Sequence, residues 1–461
     1  MTFDFGDFQR GEIGVASTMG QVFYVGEVDE VQHHVEPLLP HVPIDIVTPD
    51  EVVRCAKPGD LTIYFSEHFD RFRHAILRLR ENNVATLYAI DGILEWRNSW
   101  ENADDEPACP WTMRPVLSHK VACIGPSQAR VLSHWNHPAQ IEVVGIPRLD
   151  RLIALHNKQT IVGGVTKSKS LTDARSVLVT TAKCPWYTDE QRAQVFRSIH
   201  ALRSWEKQHE GKFEIVWRLT RGLAAEVGVE NSLVSTSGVE LVKLLNHVDI
   251  VITTPSTVQL EAMLAGKPTA ILDFTNSPSL VDAAWKITHE SQIDGVLNEM
   301  RTPPAHRMQY QEMLLQDALI VDGRATDRMV SLINQMLRIA KQQVSEGVQL
   351  NLSTGFIELE RPVPRFKFDL ATVFPEEPAF RMTEHVTLQA ELGHARREIE
   401  HLQRQIESLR KELAEAHKIF EQIHQHPIAG PIVRTRQRLL DWLEKAKSRT
   451  KPVNSSESSQ S

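Results

Sequence analysis

Apolar positions in this chain keep two rhythms over most of its length and a third near its end. Up to about residue 150, short β-branched runs at 14–17, 22–25, 44–47, 61–65, 84–90, 120–125 and 141–144 read as strands. Helical patterns fill the gaps, notably at 70–82 and 127–135. Strands separated by helices of this length predict a parallel sheet with right-handed crossovers. A polar, Lys- and Ser-rich stretch at 158–173 breaks the pattern, and a second αβ run occupies 174–340. There a strand at 176–181 precedes a helix that Thr188 and Gln191 open as a capping box and that runs to about 208. A strand at 213–219 and a helix at 239–246 follow, and after Asp273 the pattern loosens until a helix near 326–343.

From 386 to 423 the rhythm changes. Leu388, Leu392, Ala395, Ile399, Leu402, Ile406, Leu409, Leu413, Ala416, Phe420 and Ile423 alternate steps of four and three. β-branched residues facing Leu across such a seam favour a two-stranded parallel coil. The segment 384–425 is therefore expected to pair the chain with a second copy, although one long helix folded back on the αβ halves fits the same spacing. The segment 426–451 holds a basic helix with Arg434, Arg436, Arg438, Lys445, Lys447, Arg449 and Lys451 beside Ile432, Leu439, Leu440, Trp442 and Leu443. It reads as a solvated helix or as one lying on an anionic membrane surface. The tail, 452–461, is expected to be disordered.

Composition narrows the class. A length of 461 residues suggests two or three domains, and 41% hydrophobic residues is enough for full cores. A net charge of −8 argues against a general nucleic-acid binder. Cys55, Cys109, Cys123 and Cys184 are scattered without CxxC or Cys/His spacing, as expected of reduced cytoplasmic thiols. The acidic N-terminus has no apolar core and no stretch approaches about 18 apolar residues, so neither a signal peptide nor a spanning helix is expected.

The densest local signal is 249–272, DIVITTPSTVQLEAMLAGKPTAIL. A buried strand at 250–252 stops at the polar turn Thr253-Thr254-Pro255-Ser256-Thr257. A helix through Val258, Leu260 and Met263 ends at Gly266, and another strand begins at Thr269. Such a unit aims free N–H groups and a positive helix end at the carboxyl edge of a sheet, where a phosphate binds. Gln259, Glu261, Ala262, Gly266 and Pro268 stand in the order seen in GT-B glycosyltransferases and the related UDP-N-acetylglucosamine 2-epimerases, which this segment resembles. The resemblance implies that Ser256 and Thr257, with Thr254 and Gln259 beside them, hold a donor diphosphate, and that Glu261 holds the nucleotide ribose. Where the family has glycines, Pro255, Ser256 and Thr257 offer fewer amides.

A second segment, Val144-Gly145-Ile146-Pro147-Arg148-Leu149-Asp150, makes a sharp turn with a fixed exit. It is similar to the Gly-x-Pro-x-x-Asp step into the GT-B hinge. The implied architecture is α/β, with two Rossmann-like domains facing across a cleft. An acceptor domain spans 1–150 and a donor domain 176–345, joined by a hinge at 151–175, and a linker at 346–383 leads to the coiled coil.

Candidate chemistry gathers at strand ends. After the strand at 84–90 come Asp91, Gly92, Glu95, Trp96, Arg97, Asn98 and Trp100. Aromatic faces and planar polar groups suit a sugar acceptor, so Trp96, Arg97 and Asn98 are acceptor candidates, and either Asp91 or Glu95 is the general base. A structural loop capped by the same residues is the plainer alternative. Asp91-Gly92 resembles the His-Gly loop of polyol-phosphate transferases, with Asp in place of His. His68 is a second candidate base, although a lone His after a strand is more often a capping or surface residue. The loop 17–21 is a weaker, generic candidate. On the donor side Thr181, Lys183, Arg218 and Arg221 are placed to stabilise a leaving diphosphate without a metal. The Arg218–Gly222 turn resembles the Arg-x-His-Pro step of the polyol-phosphate enzymes but lacks its His and Pro. Asp104-Asp105 reads as solvated, and neither a metal nor a cofactor beyond the nucleotide-sugar co-substrate is expected. The expected function is transfer of a sugar from a nucleotide donor to a hydroxyl acceptor, a glycan or a lipid-linked group, in cell-surface polysaccharide or glycan synthesis. A polyol-phosphate transferase, a UDP-sugar 2-epimerase with paired acids across the cleft, and a dimeric scaffold without activity are the alternatives.

Overall fold

The computed structural model describes residues 20–102, 112–155 and 175–357, apart from Arg221, Glu230, Asn231, 235–237 and Asn276, and scattered positions between Gln403 and Lys418. The expected strand at 14–17, the loop residues 17–19, Asp104-Asp105, the linker at 158–173, Arg221, most of 384–425, the basic segment and the tail lie outside the described residues.

The first sheet contains β1 (Val22–Val25), β2 (Asp45–Val47), β3 (Leu61–Tyr64), β4 (Ala85–Ala89), β5 (Lys120–Cys123) and β6 (Ile141–Val143) in the order 2-1-3-4-5-6. The second contains β7 (Arg175–Thr180), β8 (Phe213–Leu219), β9 (Leu233–Val234), β10 (Ile250–Thr253), β11 (Thr269–Leu272) and β12 (Trp285–Ile287) in the order 12-11-10-7-8-9. Every pairing is parallel. Runs such as VFYV and IVIT are buried on both faces, as strands with helices above and below must be. The strand order reverses between β1 and β3 and again between β7 and β10, and at such switch points loops splay apart to leave a crevice.

In the first half the helices are α1 (Val28–Val35), α2 (Pro49–Cys55), α3 (Asp70–Glu81) and α4 (Pro126–Ser133). The second half carries α5 (Asp189–Gln208), α6 (Leu223–Glu226), α7 (Gly238–His247), α8 (Val258–Leu264), α9 (Ile293–Arg301) and α10 (Ala305–Ala318), and α11 (Ala325–Ser345) follows. The loosening past Asp273 is thus β12, α9 and α10. In α10 the core-facing Gln311 is polar, accepting from Thr269 N and donating to Lys267 O, while Tyr310 and Met313 face outward. That inversion hides the helical period from the sequence.

One helix changes sides. Met329, Leu332, Ile333, Met336 and Ala340 of α11 pack into the core of the first sheet with Tyr24, Leu61 and Leu87. The last helix expected within 176–345 therefore completes the first half instead. Its N-terminus is capped from the hinge: Asp150 accepts from Ala325 N at 3.0 Å and Thr326 N at 2.8 Å. A carboxylate there satisfies two orphan donors and opposes the helix dipole. Asp150→Ala is expected to cost about 1 kcal/mol, read from the urea midpoint at unchanged m-value.

Beyond α11 the chain returns over the first sheet, where Leu350, Leu352 and Ile357 are buried. Two fully buried charges on adjacent strands, Lys120 and Glu142, meet at 2.9 Å. Lys120 also donates to Ala139 O and Thr354 O and lies 4.3 Å from the Phe356 ring centroid. Glu142 accepts from Phe356 N and Ile357 N. The pair clamps the returning strap.

Among the described residues no helix is long and apolar enough to cross a membrane. The described positions between Gln403 and Lys418 are helical, and Ile406, Leu409 and Leu413 on them are exposed.

Candidate functional site

Loops from both sheets meet at the carboxyl ends of the strands. From the second sheet, β10 runs into the turn 254–257 and α8. Glu261, one turn into α8, is nearly buried and accepts from Arg148 Nη1 at 2.8 Å. Arg148 comes from the first half, on the turn that Gly145 makes possible at φ +95°. Its Nη2 reaches the Asp91 carbonyl at 3.5 Å.

The loop after β4 docks directly on the expected phosphate turn. Thr257 Oγ1 accepts from Ile93 N at 3.2 Å. Gly92 has no room for a side chain, because a Cβ there would lie 2.1 Å from that same oxygen. Gln128 fixes the loop by donating to Gly92 O at 2.6 Å.

The remaining donor candidates separate into near and far. Ser256 is half-buried beside Thr257, with its Oγ 3.1 Å from Thr253 Oγ1. Thr254 is buried and accepts from Ala182 N, and Thr181 accepts from Thr220 N, so both hydroxyls tie loops together. Gln259 is a correction: it is fully buried and donates to Val281 O, because its side of α8 faces the core. Arg218 is buried too, donating to Thr180 Oγ1, so its guanidinium is a core group and not an open phosphate ligand. Lys183 is exposed at the crevice edge.

The acceptor candidates also change character. Trp96 is buried, donates to Glu101 and lies 4.7 Å from Trp100, whose ring in turn meets Trp135. The π-helical turn Arg97–Glu101 folds these indoles inward, so no face is offered to a sugar. Only Asn98 of the three is exposed. Arg97 is 2% exposed and bridges the halves: Nε pairs with Glu95, Nη1 donates to Pro185 O at 3.4 Å and lies 3.7 Å from Asp273. Burial pushes Glu95 up to about 7 despite Arg97 beside it. Gln191 reinforces the seam. Its N–H binds Thr188 as a capping box requires, but its side chain turns away to accept from Tyr187 N and donate to Glu101. His68 is buried against Phe69.

Asp91 is different. Its side chain is 45% exposed and receives His34 Nε2 at 3.1 Å. Although burial pulls the other way, the His34 hydrogen bond and the charges of His34 and Arg148 hold its carboxyl below the usual range. His34, Asp91 and Arg148 line a small pocket walled by Leu38, Ile146 and Met329. Sequence reasoning missed His34, because α1 is short and half polar. It quoted Arg148 without assigning it, since nothing local shows that the hinge faces α8. Among the described residues no group of three or more His, Cys, Asp or Glu is placed to hold a metal ion.

No curated protein matches the chain. Among solved structures, the S. aureus MnaA–UDP co-structure is 14% identical, with 69% of this chain and 97% of that one covered at a TM-score of 0.45. The Neisseria meningitidis UDP-GlcNAc 2-epimerase bound to UDP-GlcNAc is 16% identical, with 69% and 100% covered at 0.43. The wall teichoic acid polymerase TagF is 13% identical, with 70% and 90% covered at 0.47. Residues 116–334 match the family model described as UDP-N-acetylglucosamine 2-epimerase. That stretch holds β5, β6, the whole second sheet and the turn at 254–257. That region is similar to the UDP-N-acetylglucosamine 2-epimerase family, within a chain built on two parallel α/β sheets.

Proposed function

We propose that this chain is a nucleotide-sugar enzyme that transfers a sugar to a hydroxyl acceptor across the crevice. The observation that carries the reading is the line Glu261–Arg148–Asp91. It joins a carboxylate at the first turn of α8 to the main-chain carbonyl of Asp91, a residue of the opposite half whose own carboxylate is open. A donor whose ribose takes Glu261 from Arg148, and whose diphosphate lies along Ser256, Thr257 and Lys183, directs its sugar toward Asp91. Of the two candidate carboxylates, Asp91 lines the pocket, while Glu95 is engaged by Arg97 in the seam. The acid–base step is therefore assigned to the Asp91 side, with His68 outside it. No metal or further cofactor enters this reading.

A second reading is 2-epimerisation of a UDP-sugar. The match of 116–334 to the epimerase family favours it, as do Glu95 and Asp273 brought to either side of Arg97. Pairing with a second copy through 384–425 is part of the proposal, supported by exposed Ile406, Leu409 and Leu413. So are a cytoplasmic setting and contact of 432–451 with an anionic membrane.

A thermal-shift panel of UDP, GDP, CDP, ADP and TDP, with UDP-N-acetylglucosamine alongside, tests the reading. One nucleotide is expected to stabilise the protein by about 2.7 kcal/mol at a hundredfold excess over its dissociation constant. Proton NMR of the matching nucleotide sugar then separates transfer, which releases nucleoside diphosphate, from epimerisation, which inverts the sugar at C2. No stabilisation by any of them leaves the scaffold as the answer.

A further inference from the structure

We propose that the first half of the chain occludes the donor site of the second through a two-point latch, Arg148 on Glu261 and Ile93 on Thr257, which a nucleotide must release in order to bind. The inference rests on the nucleotide-sugar reading above. Each point of the latch falls on a group which that reading gives to the donor. Arg148 Nη1 donates at 2.8 Å to Glu261, the carboxylate assigned to the ribose. Ile93 N donates at 3.2 Å to Thr257 Oγ1, the hydroxyl assigned to the diphosphate. That hydroxyl is also covered: Gly92 packs so closely on it that a Cβ would lie 2.1 Å from Oγ1.

The plainer interpretation is ordinary packing between two halves of one protein. Two observations oppose it. Arg148 is incompletely satisfied where it stands. Its Nε is buried with no acceptor among the described residues, and Nη2 reaches only the Asp91 carbonyl, at 3.5 Å. A buried donor without a partner costs free energy, so this guanidinium is held in a position it can leave. The loop on Thr257, meanwhile, takes its shape from its own half. Gln128 donates to Gly92 O at 2.6 Å and accepts from Ile124 N at 3.1 Å. Releasing both points therefore leaves each half intact and frees a carboxylate and a hydroxyl on the same turn of chain.

A latch of this kind weakens nucleotide affinity in proportion to the time it spends closed. Its removal tightens binding, which is the opposite of what the loss of a donor contact does. The sign of the change thus separates a latch residue from a ligand-binding one.

Titration calorimetry of the full chain with UDP, GDP, CDP, ADP and TDP in turn compares wild type, Arg148→Met, Gly92→Ala, Glu261→Ala and the double variant Arg148→Met/Glu261→Ala. The nucleotide that binds wild type is expected to bind Arg148→Met about tenfold tighter. Gly92→Ala is expected to bind it about threefold tighter or more, because the new methyl cannot share space with Thr257 while the latch is closed. Gly92 lies outside the left-handed region, so its backbone accepts alanine once the latch is open. On the Glu261→Ala background, Arg148→Met is expected to change affinity less than about twofold, since its partner is already gone. Urea unfolding checks that each variant is folded, and Gly92→Ala, which leaves the ion pair in place, decides the matter should Arg148→Met fail to fold. Unchanged or weaker binding in either folded single variant overturns the latch and spares the nucleotide reading. Tightening by Arg148→Met that persists without Glu261 overturns it as well. Absence of binding in wild type and in both single variants overturns the reading and the latch together.

Discussion

Lys120→Met is expected to destabilise the protein by about 3–5 kcal/mol. Lys120 and Glu142 are both completely buried, and the ammonium also satisfies Ala139 O and Thr354 O. Methionine keeps the apolar stem but leaves Glu142 as an uncompensated charge with two carbonyls unpaired nearby. Breaking such a pair costs more than the pair contributes, because the survivor cannot be rehydrated. The double variant Lys120→Met/Glu142→Leu removes that orphan and should recover much of the loss. It should still fall short of wild type, since Phe356 N and Ile357 N then lose their acceptor at about 1–3 kcal/mol. Urea unfolding of the three variants measures both steps. A loss under about 1 kcal/mol in the single variant would show that the clamp is solvated, contrary to its burial.

Glu261→Ala is expected to weaken binding of the stabilising nucleotide roughly 10- to 100-fold. A hydrogen bond to a charged group contributes about 1.5–3 kcal/mol, and each 1.4 kcal/mol is a factor of ten. Glu261 holds Arg148 in the unliganded protein, so a ribose must replace one partner with another. The variant loses the ribose contact while gaining a little from the released Arg148, which sets the lower end of the range. Titration calorimetry decides it: a dissociation constant within threefold of wild type would remove Glu261 from the site and the proposed donor orientation with it.

The sheets were legible because strands covered on both faces must be continuous apolar runs, as Val22–Val25 and Ile250–Thr253 are. The turn at 144–150 was legible too, because glycine and proline act locally. What Asp150 does was not, since it caps a helix that begins at Ala325, a relation that only tertiary structure creates. Trp96 and Arg97 misled for the same reason. Indoles and a guanidinium after a strand suit a sugar as well as they suit a core, and only the inward fold of 97–101 decides between them. Glu261 and Asp91 could be singled out from local pattern, whereas His34 and Arg148 meet them only because elements far apart in the chain come together.

That α11 and the strap belong to the first sheet bears on how the chain is made. Tyr24, Leu61 and Leu87 leave the ribosome long before Met329, Leu332 and Leu350, the residues that cover them. The part synthesised first is thus the part completed last. The second sheet draws its core from Val177 to Met300 and can close while the first still waits with a bare face. During that interval the exposed strands of the nascent N-terminal half are the segment most in need of a chaperone, and truncation before residue 357 should yield a protein whose donor half is sound and whose opposite half aggregates.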